Sequence, residues 1–98
     1  MAIDLQKLTL RRLLDTRSND LYSKLLNQYF TGINQTLFDK VKSFYKARMR
    51  LPSTDEIMAL RKDVGLQEYI ENQILDEDNV NDTIANEFLV SQLQDFYI

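Results

Sequence analysis

The clearest helical pattern in the chain lies between Gln28 and Leu60. Leu37, Val41, Phe44 and Tyr45 recur at three- and four-residue spacing, and Phe38 and Met49 widen that stripe to the breadth of a core-facing helix. The spacing predicts a helix from about Gln35 to Met49. Ahead of it Tyr29, Phe30 and Ile33 gather apolar bulk around Thr31-Gly32, where Gly32 can take positive φ at little cost. Asn34 is the expected N-cap, its side-chain oxygen accepting from a first-turn N–H. Pro52 ends the helix, because proline disfavours a helical residue before it. Ser53-Thr54-Asp55-Glu56 reads as a capping box, so a further helix starts at about Thr54 and turns Ile57, Met58 and Leu60 inward. It is expected to end near Asp63, with Gly65 as the left-handed residue beyond it.

The flanking segments carry shorter versions of the same pattern. Asp4 caps a first helix to Leu14 or Asp15, with Leu5, Leu8, Leu13 and Leu14 facing inward. Arg11 and Arg12 sit in its second half, where cations suit the negative end of the helix dipole. Ser18 or Asn19 opens a second helix that carries Leu21, Tyr22, Leu25 and Leu26 to about Gln28. Leu66, Tyr69, Ile70 and Ile74 predict a fifth helix ending near Leu75, followed by the acidic turn Asp76-Glu77-Asp78-Asn79. Asn79 or Asn81 caps a last helix with Ile84, Phe88, Leu89, Leu93 and Phe96 on its apolar side. Six helices and no competing strand pattern predict a single all-α domain over residues 1–98, a compact bundle. The last helix is still amphipathic at Phe96-Tyr97-Ile98, so the chain is expected to be a domain excised from a longer protein.

Composition narrows the chemistry. Ninety-eight residues supply one modest core. No apolar run approaches the roughly 18 residues that span a bilayer, and the first residues lack the apolar stretch of a secretory signal. Neither histidine nor cysteine is present, which removes the commonest neutral-pH base, imidazole ligands and thiolates, and fits a reducing cytoplasm. No phosphate-cradling G-x-x-x-x-G-K-[ST] loop occurs. Asp76, Glu77, Asp78 and Asp82 lack the glycine and spacing of a calcium loop and read as a solvated turn. The segment is therefore expected to be non-catalytic, with no catalytic, metal or cofactor residues.

Charge is the more informative quantity. The net charge of −3 hides a division of the chain. Residues 1–62 hold all 12 Lys and Arg against six acids, and residues 63–98 hold nine acids and no base. Such asymmetry marks an electrically polar domain or one whose halves face different partners, or else basic helices simply pack beside acidic ones within the fold. The run Lys40 to Arg50, with Phe44 and Tyr45 interleaved, also admits phosphate contact and base stacking. Both aromatics fall on the core stripe, however, so direct DNA contact is the less favoured reading. Tyr22, Tyr29, Tyr45, Tyr69 and Tyr97 are expected at the core or its edge.

The order of these features resembles the N-terminal domain of DnaB-type hexameric replicative helicases, most of all the divergent phage versions. The matching pieces are KLTLRRLLDT, the triplet Gln28-Tyr29-Phe30, TLFDKVKSFY, the proline corner LPSTDEIMAL, LQEYIENQIL and NVNDTIANEFLVSQLQDFYI, which together cover nearly the whole chain. The small residue that the family usually has after the leading leucines is absent. The helical hairpin and the RecA-like ATPase domain that follow in that family are not in these residues. The resemblance implies a cytoplasmic, non-catalytic collar domain of a helicase whose ATP and Mg2+ are bound elsewhere in the parent. Its implied partners are other helicase subunits and a primase or helicase loader, with DNA met only through the parent. Lys42, Lys46, Arg48 and Arg50 are the candidate partner-binding residues, and Leu89, Leu93 and Phe96 the candidates for self-association. The helicase-binding C-terminal domain of a primase is an alternative with a similar fold, and a small DNA-binding regulator is another.

Overall fold

The computed structural model of the chain describes residues 4–59 and 64–97, with side chains as far as Asp95 in the last helix. Six α-helices follow in order: α1 (Leu5–Thr16), α2 (Asn19–Ser23), α3 (Gly32–Arg48), α4 (Thr54–Ala59), α5 (Val64–Tyr69) and α6 (Asn86–Tyr97). A 3-10 turn, Asn27–Tyr29, precedes α3, and α5 runs straight on into a π-helical turn, Ile70–Ile74. Among the described residues there is no strand, and no helix is long and apolar enough to cross a membrane. The expected all-α bundle of six helices is what the chain adopts.

The first helix, not the central stretch, is the hub. It contacts α3, the π turn and α6. Leu8, Thr9, Leu10, Leu13 and Leu14 are all buried, a stripe broader than one amphipathic face, because neighbours cover the helix on more than one side. Thr9 satisfies its buried hydroxyl by donating to the Leu5 carbonyl at 2.7 Å. Asp4 caps the helix as expected, accepting from the Lys7 N–H at 3.1 Å. Ser18 opens α2 in the same way, accepting from the Leu21 N–H at 3.2 Å.

Leu37, Phe38, Val41 and Phe44 bury the inner face of α3. Phe38 stacks on Phe30 with ring centroids 4.7 Å apart, so the aromatic bulk before the turn and the helix after it share one cluster. Pro52 and Leu51 are buried at the corner. The capping box forms as read: Ser53 Oγ accepts from the Glu56 N–H at 3.2 Å, and Glu56 Oε1 accepts from the Ser53 N–H at 3.0 Å.

Several boundaries differ from the sequence reading, each for a tertiary reason. Gly32 has the expected positive φ of 56°, but α3 already begins there. Asn34 is not its cap: it is buried, donates to Gln6 Oε1 at 3.1 Å and accepts from the Tyr69 hydroxyl. The second helix stops at Ser23, and Leu26, expected inside, is exposed. Gly65 lies within α5 without positive φ, so it is no left-handed cap. Met49 ends α3 in the left-handed conformation at φ 60° and is 76% exposed rather than core. Ile33 is exposed too.

The last helix starts at Asn86, well after Asn79 and Asn81. Asn79 instead donates to the carbonyls of Lys7 and Ile74, and Asn81 accepts from Thr83. Arg12 supplies the physical cause: its guanidinium donates to the carbonyls of Asn81 and Ile84 and, at 3.1 Å, to Asn86 Oδ1. Those contacts tie the segment ahead of α6 to α1 in its non-helical course. The resulting phase of α6 buries Leu89, Val90 and Leu93 and leaves Phe88 exposed, against the expectation for Phe88. Leu60 and the Phe96 side chain, both expected inside, lie outside the described residues.

Candidate interaction face on the third helix

The second half of α3 is the part of the surface where sequence candidates meet a shaped feature. Residues four apart on a helix are neighbours, so Lys42 and Lys46 project side by side. Both are exposed. With Tyr22, Asp39, Ser43 and Tyr45 they line an open cleft of about 370 Å³. Its floor is a stacked pair, Tyr22 on Tyr45, with centroids 4.8 Å apart, backed by Phe38 at 6.0 Å from Tyr22. Burial first, and the neighbouring Tyr45 second, raise the pKa of the Tyr22 hydroxyl, so it is protonated at neutral pH and able to donate. Asp39 accepts from the Asn27 side-chain amide and forms no ion pair with either lysine.

The other two basic candidates have structural duties. The Arg48 guanidinium lies 5.9 Å and the Arg50 guanidinium 5.1 Å from the centre of the buried Phe44 ring, so both cover its face. Arg50 also forms a two-pronged contact with Glu56, at 2.8 and 2.5 Å. That geometry holds the Glu56 carboxyl down at about 2, chiefly through the Arg50 hydrogen bond and then through the Ser53 N–H. Arg50 thus extends the capping box rather than offering a free charge. The structure brings Lys42 and Lys46 together at the cleft and sets Arg48 and Arg50 around Phe44.

The self-association candidates fall elsewhere. Leu89 and Leu93 are 0% and 2% exposed, so their side chains belong to the chain's own core. Among the described side chains of α6, Phe88 is the exposed large apolar one, at 51% exposure.

Among the described residues no ion pair joins the basic part of the chain to the acidic one, although α1 packs against the π turn and α6. The four ion pairs among the described residues are Lys7–Asp4, Arg11–Asp15, Lys24–Asp20 and Arg50–Glu56, all within the basic part. Where the basic part meets the acidic one, Arg11 and Arg12 donate to main-chain carbonyls of Ile74, Asp76, Asn81 and Ile84. All eight described carboxylates beyond residue 63 are exposed and without an ion pair. Among the described residues no group of acids is arranged to hold a metal ion.

Compared with known proteins, the chain matches no family model, no curated protein and no solved structure.

Proposed function

We propose that the chain is a non-catalytic interaction domain, the N-terminal collar piece of a DnaB-like replicative helicase, which associates with neighbouring subunits and docks a primase or helicase loader. The observation that carries this reading is the face of α3 where Lys42 and Lys46, without ion pairs, flank the stack of Tyr45 on Tyr22 from α2. Tyrosine is enriched among the residues that anchor a protein partner, and charges at the rim of such a surface steer its approach. The order of helix, proline corner and capped helix that carries the resemblance supports the assignment, because Leu51, Pro52 and Ile57 build that corner into the core. The ATP and Mg2+ chemistry would belong to another domain of the parent.

The test is a pull-down and size-exclusion measurement on the full-length parent, with and without residues 1–98, in the presence of ATP and its own primase. A hexamer that hydrolyses ATP and loses primase or loader on removal of these residues is the expected result. A parent without ATPase activity, or one that binds duplex DNA as a monomer through this segment, overturns it.

A further inference from the structure

The division of charge along the chain persists in the folded molecule, and that persistence points outward. Among the described residues all four ion pairs stay within the basic part, and none joins it to the acidic part. Two unpaired lysines therefore edge a cleft floored by tyrosines, while the same chain carries an acidic turn, Asp76-Glu77-Asp78, whose three residues are exposed. The turn is pre-shaped: Asp76 accepts from the Asp78 N–H at 2.9 Å, and its carbonyl accepts from Arg11 at 3.4 Å. The Asp76 carboxylate is thereby used to hold the turn, which leaves Glu77 and Asp78 facing water.

We infer that the cleft bounded by Lys42 and Lys46 receives the Asp76–Asp78 turn of a second copy of this chain. Charge complementarity selects this occupant. The carboxylates of Glu77 and Asp78 meet the two lysines, and the Tyr22 and Tyr45 rings supply the apolar floor that a turn covers. A nucleic-acid strand fits less well, because its continuous phosphate backbone runs beyond the two lysines and meets a chain with nine distal acids. The contact uses two different surfaces, so a pair leaves a free cleft on one copy and a free turn on the other unless a ring closes. The inference gives a surface to the subunit association in the proposed function and rests on that reading only for its setting.

The chain has its own core, so the 98-residue protein serves for the test. Sedimentation velocity at about 50 mM salt is expected to reveal concentration-dependent association, weakened roughly tenfold or more at about 500 mM as charges are screened. Lys42→Gln/Lys46→Gln removes the cleft's charge, and Glu77→Gln/Asp78→Asn removes the turn's charge while leaving Asp76 in place. Each variant alone is expected to be monomeric, and an equal mixture is expected to form heterodimers, since one intact cleft and one intact turn remain. Self-association of either variant at wild-type strength, or a mixture that stays monomeric, overturns the inference. So does capture of a fluorescent oligothymidylate in the same cleft by chains that stay monomeric. A dilution series of the unmodified chain, followed by backbone NMR shifts, needs no substitution. Shifts must cluster at residues 42–46 and 76–78 and vanish at high salt; shifts confined to other positions contradict the contact. Failure here leaves primase docking standing, and failure of the helicase reading leaves the contact measurable.

Discussion

The Tyr69 hydroxyl donates to the side-chain oxygen of Asn34, joining α5 to α3 across 35 residues of sequence. Asn34 donates in turn to Gln6 on α1, whose side-chain oxygen also accepts from the Thr31 N–H at 3.0 Å. One buried amide thus ties three helices. Burial and the Asp4 charge raise the pKa of Tyr69, so the donor keeps its proton at neutral pH. Replacing Asn34 by Ala strips partners from Tyr69 and Gln6 together and is expected to cost about 1–3 kcal/mol in urea unfolding. Tyr69→Phe removes one bond and should cost about 1 kcal/mol. Equal, negligible losses would mean that the network does not hold in solution.

Arg12 sets where the last helix begins. With its guanidinium gone, the carbonyls of Asn81 and Ile84 lose their charged donor. Arg12→Met keeps much of the apolar stem and is expected to lower stability by about 1.5–3 kcal/mol. Hydrogen exchange over residues 79–86 should accelerate more than exchange in α3. A uniform acceleration would assign Arg12 a general packing role.

The phase of α6 separates two otherwise similar residues. Leu89 is fully buried and Phe88 is about half exposed. Leu89→Ala should cost about 2–5 kcal/mol, while Phe88→Ser should stay within about 0.5 kcal/mol. Unfolding curves in which Phe88→Ser is the more damaging change would restore the sequence-based phase.

How much was legible in the sequence follows from how local each signal is. The capping box and the proline corner are decided within four residues and form as read, and Gly32 takes its expected positive φ although α3 already begins there. Asn34 was misread because its partners lie 28 and 35 residues away, so nothing near it distinguishes a cap from a buried tie. Phe88 and Leu26 were placed inside by extending helices through segments that the fold uses as loops. For the last helix the interruption comes from Arg12, more than 60 residues earlier in the chain. The cleft had one visible sign, Lys42 and Lys46 at helical spacing beside Tyr45. The other half of its floor, Tyr22, comes from a different helix.

Acid should weaken the Ser53–Glu56 corner in a defined window. The folded chain holds the Glu56 carboxyl at about 2, below its ordinary 4.5, so the folded state binds that proton less readily than the unfolded chain. The stabilisation from its charge is complete above pH 4.5 and is lost as the pH falls toward 2. Glu56→Gln preserves a capping-box acceptor but not the charge. The stability difference between wild type and this variant should therefore be constant from neutrality to pH 4.5 and shrink below it. A difference that persists unchanged at pH 2 would contradict the Arg50–Glu56 geometry.

The docking proposal requires that Lys42 and Lys46 do nothing for the fold. Equilibrium urea unfolding of Lys42→Gln/Lys46→Gln beside the wild type, at low salt and at a concentration where both are monomeric, tests it most directly. The account predicts stabilities equal within about 0.5 kcal/mol, as for exposed side chains without partners. A loss of about 2 kcal/mol or more would make these lysines part of the fold's own electrostatics and remove the basis for a docking face.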